Sequence, residues 1–345
     1  MADIASRKND HLDLTIAGDV GFRKTHLFEC VELLHDALPE LCFDEIDTRV
    51  EIFGKTLSAP IIIAAMTGGN ERARAINLEL AWIAEECGYG FGVGSQRAMM
   101  ANPNLQDTYS IRSVAPNALL LGNLGGVQAM KMESNAIADL VHSIGADGLC
   151  VHLNPAMELV QPGGDRDFRG ILDTLERLTA ELDFPVVVKE TGCGISFSVA
   201  KRLRSRSIKH VDVSGAGGTS WVAVEAQRVQ SKTGNSDHSF RDWGIPTAAS
   251  VAFCAAAGMD TIVATGGIAN GIEVAKAIAL GAHAAGLARP VLKAFHAEGK
   301  GGALRFLRCI EDELRMAMLL TAARDIKSLR NVDRKVLSPL REWIA

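Results

Sequence analysis

Residues 260–288 read DTIVATGGIANGIEVAKAIALGAHAAGLA. The opening run, DTIVATGG (260–267), is apolar and stops on two glycines. NGIEVAKAIALG (270–281) follows with a helical pattern, Asn270 serving as its cap and Gly281 as its stop. AHAAGLA (282–288) is a second apolar run. Strand, helix and strand in so short a span make one βαβ unit. Apolar strands without alternation suit a parallel sheet covered on both faces.

The unit recurs upstream. PIIIAAM (60–66), YGFGVGS (89–95), ALLLGNLG (118–125), GLCVHLN (148–154), FPVVVKE (184–190) and KHVDVSG (209–215) are further short apolar runs, with starts mostly 20 to 35 residues apart. Helical patterns such as ARAINLELAWIAEECG (73–88) lie between them. Eight strands alternating with helices predict an α/β fold of the (β/α)8, or TIM-barrel, type. An open doubly wound sheet would place a GxGxxG turn after its first strand, and none is present.

Two regions exceed a minimal barrel. Residues 1–59 form an N-terminal extension, read as a flap, a helical stretch near Leu27–Leu41 and a hairpin in TRVEIFGKTLSAP (48–60). A long loop is expected between strands six and seven, within residues 216–259, with a polar middle QSKTGNSDHSFRDWG (230–244). GALRFLRCIEDELRMAMLLTAARD (302–325) reads as an amphipathic helix packed on the barrel. The extension and the barrel, residues 60–345, are expected to form one structural domain.

Composition narrows the class. Of 345 residues, 48 % are hydrophobic and 22 % charged, as in ordinary globular proteins. No run of about 18 uncharged apolar residues exists, so no membrane span is expected. The N-terminus lacks the shape of a signal peptide, which points to the cytoplasm. A net charge of −5 without a basic block leaves nucleic-acid binding no electrostatic footprint. Seven cysteines without a CxxC pair read as reduced thiols. Glycine is the outlier at 33 residues, many of them at or just after predicted strand ends. They read as points where the backbone passes close to a ligand.

In this fold the site lies at the C-terminal ends of the strands. Strand seven ends ATGGIANG and strand eight GLARP. Two glycines feeding a helix N-terminus suit a phosphate, or simply make a turn. The first three strands end AAMTGGN, GSQR and GNLGG, which brings Thr67, Ser95, Arg97 and Asn123 to one mouth. Strand five ends in Lys189, and strand six in SGAGGTSW with hydroxyls at Ser214, Thr219 and Ser220. Strand four ends HLNPAMELVQPGGDRD, which places His152 and Asn154 on one face and Glu158 just beyond. Arg7, Lys8 and His11 form either a solvated tail or a flap that closes on an anion.

These motifs, in this order, resemble the FMN-dependent type 2 isopentenyl diphosphate isomerases over nearly the whole chain. The carrying residues are RKxxH near the start, MTGG, GSQR, GNLG, HLNP, VKETGCGIS, SGAGGTSW with a following VE, TGGI and GLARP. The resemblance implies interconversion of isopentenyl and dimethylallyl diphosphate, with reduced FMN, Mg2+ and NAD(P)H as reductant. It implies a homotetramer or homo-octamer. Ala65, Met66, Thr67, Ser95, Asn123, Lys189, Ser214 and Thr219 would hold the flavin ring and ribityl chain, and Gly266, Gly267 and Ala288 its phosphate. Lys189 beside the ring would favour the electron-rich reduced form by its charge. Arg7, Lys8, His11, Arg97, His152 and Asn154 would bind the substrate diphosphate. Glu158 would hold the metal, and Glu225 would stand as an acid near the reacting atoms, alongside His152 and Lys189.

The chain departs from the family in strand four. Met157 stands where the family has glutamine, and Gly163 where it has glutamate. A thioether has no transferable proton, whereas an allylic shift adds one proton and removes another. Water, His152, Glu225 or, after a loop rearrangement, Gln161 are left for that role. A divergent FMN enzyme acting on a related isoprenoid or phosphorylated substrate is the alternative reading. A non-catalytic flavin-binding protein is a third, disfavoured by the presence of Lys189, Glu158 and Glu225. Hydroxy-acid oxidation lacks its histidine base after strand six, and Cys193 lacks an activating neighbour for dehydrogenase chemistry.

Overall fold

The computed structural model describes residues 4–233 and 239–345. Eight parallel strands close into a barrel. They are β1 (Ile61–Ile63), β2 (Gly90–Gly92), β3 (Leu119–Gly125), β4 (Gly148–Leu153), β5 (Val186–Glu190), β6 (His210–Asp212), β7 (Thr261–Thr265) and β8 (Ala284–Leu287). Each pairs with the next, and β8 closes on β1 with Ala285 opposite Ile61. All eight predicted strands are present. Every β1, β3, β5 and β8 residue is buried, as the unalternating apolar runs required.

Helix α1 (Ile4–Ala17) precedes the barrel, and α2 (Glu71–Cys87) follows β1. The short α3 (Pro155–Val160) follows β4. Helices α4 (Trp221–Thr233) and α5 (Thr247–Ala256) lie between β6 and β7. The second half is completed by α6 (Gly271–Ala279) and α7 (Arg289–Leu319). Asn70 caps α2 by accepting from the Ala73 N–H, and Asn270 caps α6 through the Glu273 N–H. Gly281 follows α6 in the left-handed region at φ +113°, the C-terminal stop its place in the sequence suggests.

The hairpin Val50–Ile52/Lys55–Leu57 forms as expected. Its Ile52 and Leu57 join Leu119, Leu121, Cys150, Val187, Val263 and Ala284 in one buried cluster inside the barrel. The hairpin thereby plugs the end where the strands begin, which leaves the opposite end open to ligands. The larger cluster, between strands and helices, runs from Leu12 to Leu340.

Two expectations are corrected, and a third, the long loop between β6 and β7, gains detail. The stretch Leu27–Leu41 is not a helix. Phe28–Cys30 makes one 3-10 turn, and Val31–Leu33 pairs antiparallel with Arg334–Val336 near the far end of the chain. Its apolar spacing divides between buried Phe28 and Val31 and exposed Leu34 and Leu38, so no single helical face existed to bury. The long segment between β6 and β7 carries α4 and α5, with residues 239–246 outside any helix between them. Its centre, residues 234–238, lies outside the described residues. The C-terminal helix starts earlier than its pattern, directly after β8, breaks helical geometry at Glu298 and Gly299, and stops at Leu319.

Leu80 of α2 is wholly buried against the barrel. Leu80→Ala is expected to cost about 3 kcal/mol through lost transfer and a residual cavity, read as a lower urea midpoint at unchanged slope.

Candidate functional site

A cavity of about 610 Å³ opens at the C-terminal end of the barrel. Its floor near β6 and β7 is set by glycine. A Cβ on Gly218 would lie 2.6 Å from the Gly267 nitrogen, and one on Gly266 would lie 2.7 Å from the Gly215 nitrogen. Thr247 is wedged beneath both turns, its Oγ1 donating to the Gly266 carbonyl at 2.6 Å. Many strand-end glycines are therefore demanded by protein packing on protein, not by close approach of a ligand alone. Gly68, for instance, has the Tyr109 ring where its side chain would be. Gly163 is different: its surroundings are open and its φ is +72°, so there the backbone conformation itself favours glycine.

Two hydroxyls on the cavity wall, Thr67 Oγ1 and Thr265 Oγ1, are buried without a hydrogen-bond partner. An unmet buried polar atom costs about 1–3 kcal/mol, so each is stabilised by a water or a polar ligand. Ala65, Met66, Ser95, Asn123, Ser214, Thr219, Gly266, Gly267 and Ala288 line the same cavity. Lys189, at the end of β5, also faces it and pairs with Asp212 of β6 at 2.6 Å, both side chains buried. Ser220 is turned away and donates to the Arg241 carbonyl instead.

The β4 end supplies the opposite wall. Asn123 Oδ1 accepts from His152 Nδ1 at 2.8 Å, which leaves Nε2 unprotonated. Gln96 Oε1 in turn accepts from the Asn123 backbone N–H at 3.0 Å. Burial, then Lys189, Arg97 and Lys8, push His152 down to about 4, so it is neutral near pH 7. On α3, Glu158 accepts from Asn154 at 3.0 Å, from the Asp165 N–H at 2.9 Å and from Gln161 at 3.4 Å. Met157 lies beside them, its sulfur 3.8 Å from the Asn154 amide. Gln161 already lines the cavity, and no rearrangement is required to present it.

Helix α1 forms the roof, so the segment read as tail or flap is ordered helix over the mouth. Arg289 at the start of α7 holds its C-terminal end, donating to the Thr15 and Gly18 carbonyls at 2.9 and 2.8 Å. Lys8 donates to the Gly68 carbonyl, to the Ser95 carbonyl at 3.1 Å and to the Tyr109 hydroxyl at 2.8 Å. Three acceptors match the three N–H bonds of an ammonium, while burial and Arg7 push Lys8 down to about 7. Arg7 is lowered by burial and by Arg97. Crowded cations that depress one another are the electrostatic signature of a site for an anion.

Glu225 requires a correction. It is fully buried on α4 and does not line the cavity; His11 stands between, with Nε2 2.7 Å from Glu225 Oε1. Burial pushes its carboxyl up, but bonds from His11 and Arg228 outweigh this and hold it below the ordinary range. It bonds His11 and reaches the cavity only through that ring. The sequence reading missed Asp212, Gln96 and Glu190. Glu190 is buried and takes the backbone N–H groups of Thr191 and Gly192 at 2.6 and 2.7 Å, shaping the loop after β5. The signal was available: a charged residue inside an apolar strand run, as in KHVDVSG and VVVKE, needs a partner.

A barrel plugged at one end, with interlocked glycine turns, unmet hydroxyls and crowded cations at the other, has the form of a (β/α)8 enzyme with a site for an anionic ligand. A family model described as FMN-dependent dehydrogenase matches residues 157–337. The isopentenyl-diphosphate delta-isomerase of Ignicoccus hospitalis is 43 % identical over 99 % of this chain and 96 % of that protein. That of Methanopyrus kandleri is 42 % identical over 98 % of this chain and 93 % of that protein. The chain belongs to the FMN-dependent isopentenyl-diphosphate delta-isomerase family. Among solved structures, a mandelate oxidase variant superposes with a TM-score of 0.66 at 20 % identity over 97 % of this chain and 99 % of that one, a likeness of fold alone.

The depressed His152 makes a pH prediction. Between pH 4 and its ordinary 6.5, the folded chain binds fewer protons at His152 than the unfolded chain. Its contribution is therefore complete above pH 6.5 and lost as the pH falls toward 4. Urea unfolding at pH 5 against pH 7 should cost the parent about 1–2 kcal/mol more than His152→Gln. An equal pH dependence would show that His152 is not held neutral.

Proposed function

We propose that this chain interconverts isopentenyl and dimethylallyl diphosphate, with FMN in its reduced form, Mg2+ and NAD(P)H as the external reductant. The observation that carries the reading is the single cavity in which unmet Thr67 and Thr265 hydroxyls and a glycine floor face Arg7, Lys8, Arg97 and Glu158. Membership of the isomerase family over nearly the full chain supports it.

The residues present fit each group. Thr67, Ser95, Asn123, Ser214 and Thr219 offer polar contacts to a flavin ring and ribityl chain, and Gly266, Gly267 and Ala288 offer backbone to its phosphate. Reduced FMN supplies an electron-rich ring able to exchange a proton with the substrate. Lys189, paired with Asp212, would donate toward that ring and bring the ammonium of the pair near it. Arg7, Arg97, His11 and Asn154 line the cavity and would bind a diphosphate. Mg2+ commonly uses one or two carboxylates together with ligand phosphates and waters. Glu158 fits that role, with Asn154, Gln161 and the Asp165 N–H fixing its orientation. No cluster of three or more His, Cys, Asp or Glu ligands occurs among the described residues, so a site of this kind needs the substrate's own oxygens.

Proton traffic is where this chain differs. Met157 can neither give nor receive a proton usefully, and Glu225 meets the cavity only through the His11 ring. His152, with a free Nε2, and Gln161, bonded to Glu158, remain at the wall, together with water. Met157 also favours a second reading: a divergent FMN enzyme that acts on a related isoprenoid or phosphorylated substrate by another reaction.

The purified protein is expected to bind FMN and show its absorbance. With isopentenyl diphosphate it should give dimethylallyl diphosphate by proton NMR only when both reductant and Mg2+ are present. Absence of turnover with saturating reduced FMN would move the assignment to the second reading. Met157→Gln is expected to raise turnover, within the factor of 10² to 10⁴ that about one acid–base group contributes. An unchanged or lower rate would show that position 157 takes no part in proton transfer.

A further inference from the structure

His26 lies outside every motif that marks the site, yet it sits directly behind the glycine floor. A Cβ on Gly217 would lie 2.6 Å from the His26 Cα, and one on Gly267 would lie 2.9 Å from its ring carbon Cδ2. The His26 carbonyl accepts from the Ala248 N–H at 3.0 Å, which ties the same residue to α5. Its ring has a defined tautomer. Nδ1 accepts the Phe28 backbone N–H at 3.1 Å, so Nε2 carries the proton and points to Glu273 Oε1, 3.2 Å away. Glu273, in the first turn of α6, uses its other oxygen to accept the Ala269 N–H at 2.7 Å. The His26 bond and the Ala269 N–H hold its carboxyl below the ordinary range against burial.

We propose that His26, acting through Glu273, is a positioning residue for the phosphate end of the flavin site. The ring is a wedge behind Gly217 and Gly267. Its Nε2–H tethers Glu273 by one carboxylate oxygen while the other oxygen holds the Ala269 N–H. The tether also fixes the Gly266–Ala269 turn, because Glu273 grips Ala269 from the other side. The inference rests on the reading that Gly266 and Gly267 receive the flavin phosphate. Its consequence is selective: His26 should matter for a flavin that carries a phosphate and not for one that lacks it.

The test is flavin binding by the purified apoprotein, followed by fluorescence quenching, with FMN and with riboflavin. The parent should prefer FMN. In His26→Ala and in Glu273→Gln the FMN dissociation constant should rise about tenfold, while that for riboflavin stays within about twofold. In the double variant the FMN loss should stay near tenfold, because the two residues act as one unit. Equal losses for both flavins would overturn the proposal, as would unchanged FMN binding in His26→Ala or fully additive losses in the double variant. A parent that holds both flavins equally would instead overturn the phosphate reading itself. Melting curves of each variant, with and without FMN, separate a binding defect from a failure to fold.

Discussion

After β6 and β7 two backbones meet with no side chain between them. Gly215 and Gly218 of one turn face Gly266 and Gly267 of the other, and a single methyl at Gly218 or Gly266 would sit within about 2.7 Å of the opposite main chain. Hydrogen bonds reinforce the contact: Gly215 N–H donates to the Thr265 carbonyl at 2.9 Å, and Thr247 bonds the Gly266 carbonyl. The floor of the cavity, its exposed amides and the entry angle of α6 all follow from this contact. Loss of a Cβ is costly in conformational entropy, and the chain accepts that cost where it creates a surface of bare backbone.

The electrostatics follow the same local logic. The chain is acidic overall, at −5, but its mouth gathers Arg7, Lys8, Arg97 and Lys189. Where structure needs a cation, the charge is already met: Lys189 by Asp212, Lys8 by three oxygens, Arg289 by two carbonyls at the end of α1. Arg7 is crowded by Arg97 and only partly offset by Glu225 and Glu158, so an anion beside the pair is stabilising. The hairpin plug at the other end of the barrel makes this mouth the route by which a ligand reaches the interior.

Much of this was legible in the chain. Continuous apolar runs ending in glycine yield eight strands, because a strand buried on both faces has no polar side to alternate. The strand-end residues from Ala65 to Ala288 reach one cavity, since parallel strands in a barrel carry their C-terminal ends to one rim. Leu27–Leu41 misled because its hydrogen-bond partner, Arg334–Val336, lies some three hundred residues on, and local spacing carries no trace of it. Glu225 misled because one intervening side chain, His11, decides whether a carboxylate meets the cavity or stands behind its wall.

What the sequence by itself determined is the barrel and the rim. Both depend on periodicity and on order along the chain, which are local quantities. Only the tertiary structure decided which polar groups are already spent and which are left for a ligand. Thr67 and Thr265 are unmet, Glu158 is oriented by three donors, Gln161 is on the wall, and His26 stands behind the glycine floor. Those outcomes depend on distances between residues remote in sequence, where a shift of an ångström or two separates a hydrogen bond from none.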